Sequence, residues 1–172
     1  ELIIEAAHEL KDLYPNLRWI LVGDGRNRQE LEQLVREKKV ENIVSFPGRY
    51  PATVIPYLIA RADASLLTLK KEPIFAITVP NRLQSYMACG KPILASIDGE
   101  AADIINESIS GLVAPAGDLQ SFVELVKKFM NTSEEQKKQW GMNARSYFLR
   151  HFERNQVLDQ LNDILQQEIV HH

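Results

Sequence analysis

A rhythm constrains this chain more than any single motif. Short apolar runs rich in branched residues recur along it: RWILV (18–22), NIVSF (42–46), ASLLTL (64–69), PILAS (92–96) and LVAP (112–115). Runs of this length between turn signals read as strands. A helix-patterned stretch follows each one, and strands separated by helices need crossover connections, which are right-handed and build a parallel sheet. The pattern predicts an α/β fold with a doubly wound parallel sheet and helices on both faces. Leu2, Ala6, Leu10 and Leu13 have helical spacing ahead of Pro15-Asn16, and further helices are predicted around Leu31–Val35 and over roughly 52–62, 81–89 and 101–106. Beyond LVAP the chain reads as helix throughout. Asp118 is the predicted N-cap of one helix, Ser133-Glu-Glu-Gln136 has capping-box spacing, and Val157, Leu158, Leu161, Ile164 and Leu165 mark a last amphipathic helix.

Length and charge narrow the function. A chain of 172 residues suits one domain with a real core. A net charge of −3 excludes wholesale nucleic-acid binding, which needs a basic surplus, so an anionic ligand requires a local basic site. One cysteine, Cys89, rules out an intrachain disulfide and fits a reducing compartment. No apolar run reaches the length of a membrane span and no signal-peptide pattern is present, so a cytoplasmic location is expected. The opening ELIIEAAHEL lacks Met and reads as the middle of a structure, as if cut from a longer protein. His171 and His172 are set aside from the site.

In a doubly wound sheet, ligands sit at the carboxyl ends of the strands. Four loops lie there. In GDGRNR, Gly23 and Gly25 begin a dinucleotide-like fingerprint, but Arg28 stands where the third glycine would allow close packing; a tight turn needing positive φ is the better reading. In PGRYP, Gly48 lets backbone approach a flat base and Arg49 can stack on it or meet a phosphate; a plain Pro-Gly turn with a solvated arginine fits equally well. In KKE, Lys71 can offset phosphate charge and Glu72 can accept from sugar hydroxyls. In VPNRLQSYMACGKPILAS, Pro80 fits a helix entry with Asn81 near the cap, so the first-turn N–H groups make a phosphate site with Arg82 beside it. Gln84 and Ser85 lie one turn on, within reach of hydroxyls. Gly90 is the natural stop of that helix. In ASIDGE no role is assigned to a particular residue.

Other chemistries find no support. No His/Cys/Asp/Glu group has metal-ligand spacing, and no Walker loop or nucleophile elbow occurs. His8 and His151 read as structural or exposed, and Cys89 as a small buried hydrophobe.

The segments LRWILVGDGRNRQELEQL, ENIVSFPGRYP, ARAD, SYMACGKPILAS and SGLVAPAGDLQSF, in this order, resemble the C-terminal domain of GT-B-fold glycosyltransferases of family 4 (group 1). The resemblance spans nearly the whole chain. It implies a Rossmann-like domain that binds a nucleotide-diphosphate sugar, a UDP-sugar first of all, and a separate N-terminal domain that binds the acceptor. It implies sugar transfer with retention and without a metal or other cofactor. The Pro-x-Arg before the helix resembles polysaccharide and O-antigen transferases, with Arg82 at the basic position. By the same resemblance Glu72 is the catalytic carboxylate near the transferred sugar.

Two departures accompany it. The family's second glutamate, which holds the ribose, falls where this chain has Ser85, and the interval from Glu72 is longer than in the family. The family's domain also begins with a strand and a Gly-Arg and a Lys ahead of the first helix here, a strand that would be central in the sheet. Residues 1–172 are thus expected to be one donor-binding domain of a two-domain enzyme, inactive alone, with helices of 133–172 packing on it or on the acceptor domain. Membrane contact is expected only through the parent enzyme. The rival readings are a non-catalytic binding or assembly module, a nucleotide-sugar epimerase of the same fold, and, weakest, a dinucleotide-dependent oxidoreductase.

Overall fold

The structure, a computed structural model, describes residues 1–170; side chains at 159, 160, 163, 165 and 167–170 lie outside the description. The expected role of Leu165 and the terminal His171 and His172 fall outside it. Every predicted strand forms: β1 (Trp19–Val22), β2 (Val44–Gly48), β3 (Ser65–Thr68), β4 (Ile93–Ser96) and β5 (Gly111–Ala114). All pairings are parallel. The strands pair as two sheets among the described residues, β1–β2 and β3–β4–β5.

The helices ahead of β5 are α1 (Leu2–Leu10), α2 (Arg28–Glu37), α3 (Ile55–Arg61), α4 (Pro73–Ala76), α5 (Asn81–Ala88) and α6 (Glu100–Glu107). After β5 come α7 (Leu119–Met130), α8 (Glu134–His151) and α9 (Arg154–Val170). Asp118 caps α7 by accepting from the Ser121 N–H at 3.0 Å, and Ser133 caps α8 by accepting from the Gln136 N–H at 3.2 Å. Both hydroxyl or carboxylate caps satisfy first-turn donors that the helix itself leaves open.

β4 shows why the sheet needs two helical layers. Its residues alternate between two cores. Leu94 joins the α1–α7 side with Ile4, Leu10, Phe122 and Val126, while Ile93 and Ala95 join Leu83, Met87, Ile105 and Ala144 on the α5–α6–α8 side. Helices thus cover both faces of the β3–β4–β5 sheet, as a parallel sheet demands.

Two expectations are corrected, and one helix joins those predicted. The second strand does not end before Pro47-Gly48 but runs through them. Ile20 pairs with Ser45 and Val22 with Gly48, so β2 carries one extra residue as a bulge where Pro47 has no N–H to donate. The connector after β3 carries the short α4, which Pro73 opens at a first-turn position where its missing N–H costs nothing. The first helix stops at Leu10, short of Leu13, and Leu13 is exposed.

α8 packs on α5 through two glycines. A Cβ at Gly141 would overlap the carbonyl of Gly90, the positive-φ residue that ends α5. Arg145 of α8 donates to the Ala88 carbonyl at 2.6 Å, placing a cation where the C-terminus of α5 carries negative partial charge. α9 leaves Val157, Leu158, Leu161 and Ile164 exposed. Among the described residues, no helix is long and apolar enough to cross a membrane.

Candidate functional site

The candidate residues fall into two groups at the carboxyl ends of strands. The first belongs to β1 and β2. Gly23, at φ 137°, follows β1 directly, and its N–H donates to the Gly48 carbonyl at 2.9 Å, carrying the ladder one step past the strands. Gly48, at φ 87°, ends β2, so both turns use a conformation that side chains avoid. Gly25 does not have positive φ, and a Cβ there would meet nothing, so neither strain nor crowding requires glycine at that position. Arg49 follows Gly48 and is exposed.

The second group belongs to β3, β4 and β5. Lys71 and Glu72 are exposed in the turn after β3. Glu72 is the N-cap residue of α4 in an extended conformation, but its carboxylate makes no cap hydrogen bond and stays available. Lys71 lies within electrostatic reach of Asp118, whose carboxyl is held below its usual range mainly by the Ser121 N–H and hydroxyl, with Lys71 a minor contributor. The turn after β3 shares the carboxyl edge of the β3–β4–β5 sheet with the turn after β5.

α5 stands beside that turn. Pro80, not Asn81, is its N-cap residue, and Asn81 is the first helical position. Proline has no side-chain acceptor, so no side chain caps this helix start. Asn81 and Arg82 are exposed there, and Gln84 is half-buried. The Ser85 hydroxyl donates back to the Asn81 carbonyl at 3.1 Å, which spends its one proton and leaves it an acceptor. Tyr86 packs into the core; burial pushes its phenol up, and nearby Arg82 partly counters that. Cys89 is half-buried, and burial pushes its thiol up, against nucleophilic use.

The ASIDGE loop, to which the sequence reading gave no residue roles, is the lock of this second group. The Ser96 hydroxyl donates to the Pro115 carbonyl at 2.9 Å and accepts from the Gly117 N–H at 3.1 Å. Asp98 accepts from the Ala116 N–H at 3.1 Å. Gly99, at φ 73°, lies so close to α4 that a Cβ would overlap the Ala76 carbonyl. Three strand-end loops are thereby tied together. The available signal was a polar Ser-x-Asp-Gly directly after a fully buried strand, where unsatisfied groups are costly.

A cleft of about 400 Å³ lies between α1 and α2, bordered by Glu1, Glu5, Glu30 and Glu37. Its carboxylates repel a diphosphate, so the strand-end loops remain the better anion site. No group of three or more His, Cys, Asp or Glu side chains among the described residues is placed to hold a metal ion. His8 sets Nδ1 2.7 Å from the Lys38 carbonyl, joining α1 to the end of α2, and His151 stacks on Tyr147.

Residues 1–147 match the family described as glycosyl transferases group 1. The chain is 23% identical over 169 residues to the putative colanic acid biosynthesis glycosyltransferase WcaL of Salmonella typhimurium, covering 95% of this chain and 40% of that protein. It therefore spans about two fifths of the length of the curated relatives it matches. Among solved structures, Anabaena HepE in complex with UDP and glucose superposes with a TM-score of 0.79 at 23% identity, over 96% of this chain and 44% of that one. Sucrose-phosphate synthase from Thermosynechococcus elongatus gives 0.82 at 20% identity, over 99% and 42%.

Proposed function

The chain belongs to the group 1 glycosyl transferases, and from that premise we propose that it is the donor-binding half of an enzyme that moves a sugar from a nucleotide diphosphate, UDP first of all, to a polysaccharide or lipid-linked acceptor. The observation that carries the reading is the family match over residues 1–147. The UDP bound to HepE, a protein of the same fold, supports the choice of nucleotide.

In this reading the nucleoside rests on the Gly23–Gly48 turns, with Arg49 over the base. The diphosphate lies at the start of α5. There the Asn81 and Arg82 N–H groups, the positive end of the helix dipole and the Arg82 guanidinium meet the charge that builds as the sugar–phosphate bond breaks. Lys71 adds a second cation. Glu72 accepts from the sugar hydroxyls and orients the sugar for transfer with retention. Ser85 offers one acceptor oxygen to the ribose where a glutamate would offer two. No metal or other cofactor takes part. A strand preceding α1 joins the two sheets, an acceptor domain closes the cleft, and the whole works in the cytoplasm, reaching a membrane face only through the parent enzyme.

Titration calorimetry of the chain with UDP, GDP and NAD tests this. Weak UDP binding that Arg82→Ala removes is expected, without NAD binding and without sugar transfer by the chain alone. Equal affinity for NAD, or UDP binding indifferent to Arg82→Ala, would overturn it. A non-catalytic module makes a different forecast: Glu72→Gln in the full-length enzyme would leave transfer unchanged.

A further inference from the structure

At the bulge in β2, one side chain takes up a backbone carbonyl. Arg28, the first residue of α2, donates from Nη2 to the Phe46 carbonyl at 3.0 Å. Its Nε donates to Glu32 at 2.8 Å, and Nη1 lies 3.9 Å from Asp24. Nη1 also lies 3.5 Å from where a Gly48 Cβ would be, so the guanidinium sits directly against the Gly48 turn. The plane of one arginine thus joins the turn after β1, the start of α2 and the bulged end of β2. Two carboxylates already face its charge, which leaves little of it for a phosphate. The same residue that breaks the dinucleotide fingerprint lies against both glycine turns.

We propose that Arg28 is a positioning residue: it fixes the bulge at Phe46–Pro47 and through it the Gly48–Arg49 peptide that receives the nucleoside, without touching the nucleotide itself. What the turn receives rests on the donor reading above; that Arg28 shapes the turn does not. A planar fork is required, because one donor must reach Glu32 while another reaches the Phe46 carbonyl. Lysine keeps the charge but offers a single point of donation.

The test uses the chain as it stands, with Arg28→Ala and Arg28→Lys, read by amide NMR and by titration with UDP and inorganic pyrophosphate. Without ligand, both variants are expected to shift the Gly48 and Arg49 resonances and to speed exchange of the Gly23 amide, while Leu94 and Ala95 stay in place. UDP affinity is expected to fall about tenfold, as for loss of a charge-assisted hydrogen bond, with pyrophosphate affinity unchanged. General destabilisation would weaken both ligands together, so equal losses overturn the proposal. Unmoved Gly48 and Arg49 resonances in a folded variant overturn it as well. Arg28→Lys decides the matter if the alanine variant does not fold. Wild-type chain that ignores UDP, with the turn resonances still moved by the variants, sinks the donor reading and leaves the positioning role in place.

Discussion

β4 and β1 are both four-residue parallel strands that run through a glycine-bearing turn into a helix, yet they are held by different means. β4 lies between β3 and β5 and is buried at every position. β1 pairs with β2 alone among the described residues; Trp19 is buried, but Ile20 is 62% and Val22 40% exposed. The turns beyond them differ in the same sense. Past β4, the Ser96 hydroxyl, the Asp98 carboxylate and the close seat of Ala76 on Gly99 lock three loops together. Past β1, the Gly23–Gly48 hydrogen bond and the Arg28 guanidinium hold two turns over a sheet with one uncovered face. Where both faces are covered, backbone can be fixed by contact with backbone. Where one is open, a long side chain has to do the fixing. The loops past β4 and β5 are therefore set by the core, and the Gly48 turn by one residue.

Glycines should separate the two regions most sharply. A Cβ at Gly111 would overlap the backbone of Ile93, its partner in the β4–β5 ladder. The surrounding layers prevent β5 from moving away, so Gly111→Ala should cost about 3 kcal/mol, at the upper end of overpacking effects. Urea denaturation measures it; a cost below about 1 kcal/mol would mean that β4 yields as easily as an open strand. Gly99→Ala should cost less, about 2 kcal/mol, although it adds positive-φ strain to an overlap with Ala76. The smaller cost follows because α4 is one exposed turn that can swing aside. That swing should carry Glu72 with it, so the amide resonances of Glu72, Ile74, Phe75 and Ala76 should move while those of Gly48 and Arg49 stay.

The strands and their order were legible because short branched runs between helices have few other solutions. Capping was legible at Asp118 and Ser133, whose side chains act on their own helices and whose partners lie three residues on. Local sequence did not disclose the bulge at Phe46–Pro47, because a bulge is defined by a partner strand. It did not disclose that Pro80 rather than Asn81 takes the cap position. Nor did it show the work of Arg28, Ser96, Asp98 and Arg145, whose hydrogen-bond partners lie 18, 19, 18 and 57 residues away. The run WILV reads as a strand of a sheet with helices on both faces, whereas only Trp19 is fully buried and Leu21 partly.

That surplus of apolar surface on β1 yields the smallest and most discriminating effect. Ile20→Thr keeps the β-branch that suits a strand and removes apolar surface that is already mostly in water. Unfolding free energy should therefore change by no more than about 0.5 kcal/mol, as for an ordinary surface substitution. The measurement belongs at two protein concentrations. A loss above about 1 kcal/mol that grows with concentration would show that Ile20 is covered in solution by a second copy of the chain, because association stabilises by mass action. A comparable loss that is independent of concentration would place Ile20 inside the fold of the single chain. Either outcome would erase the contrast between β1 and β4, while a neutral substitution would leave the open face of β1 as the property that sets the two strands apart.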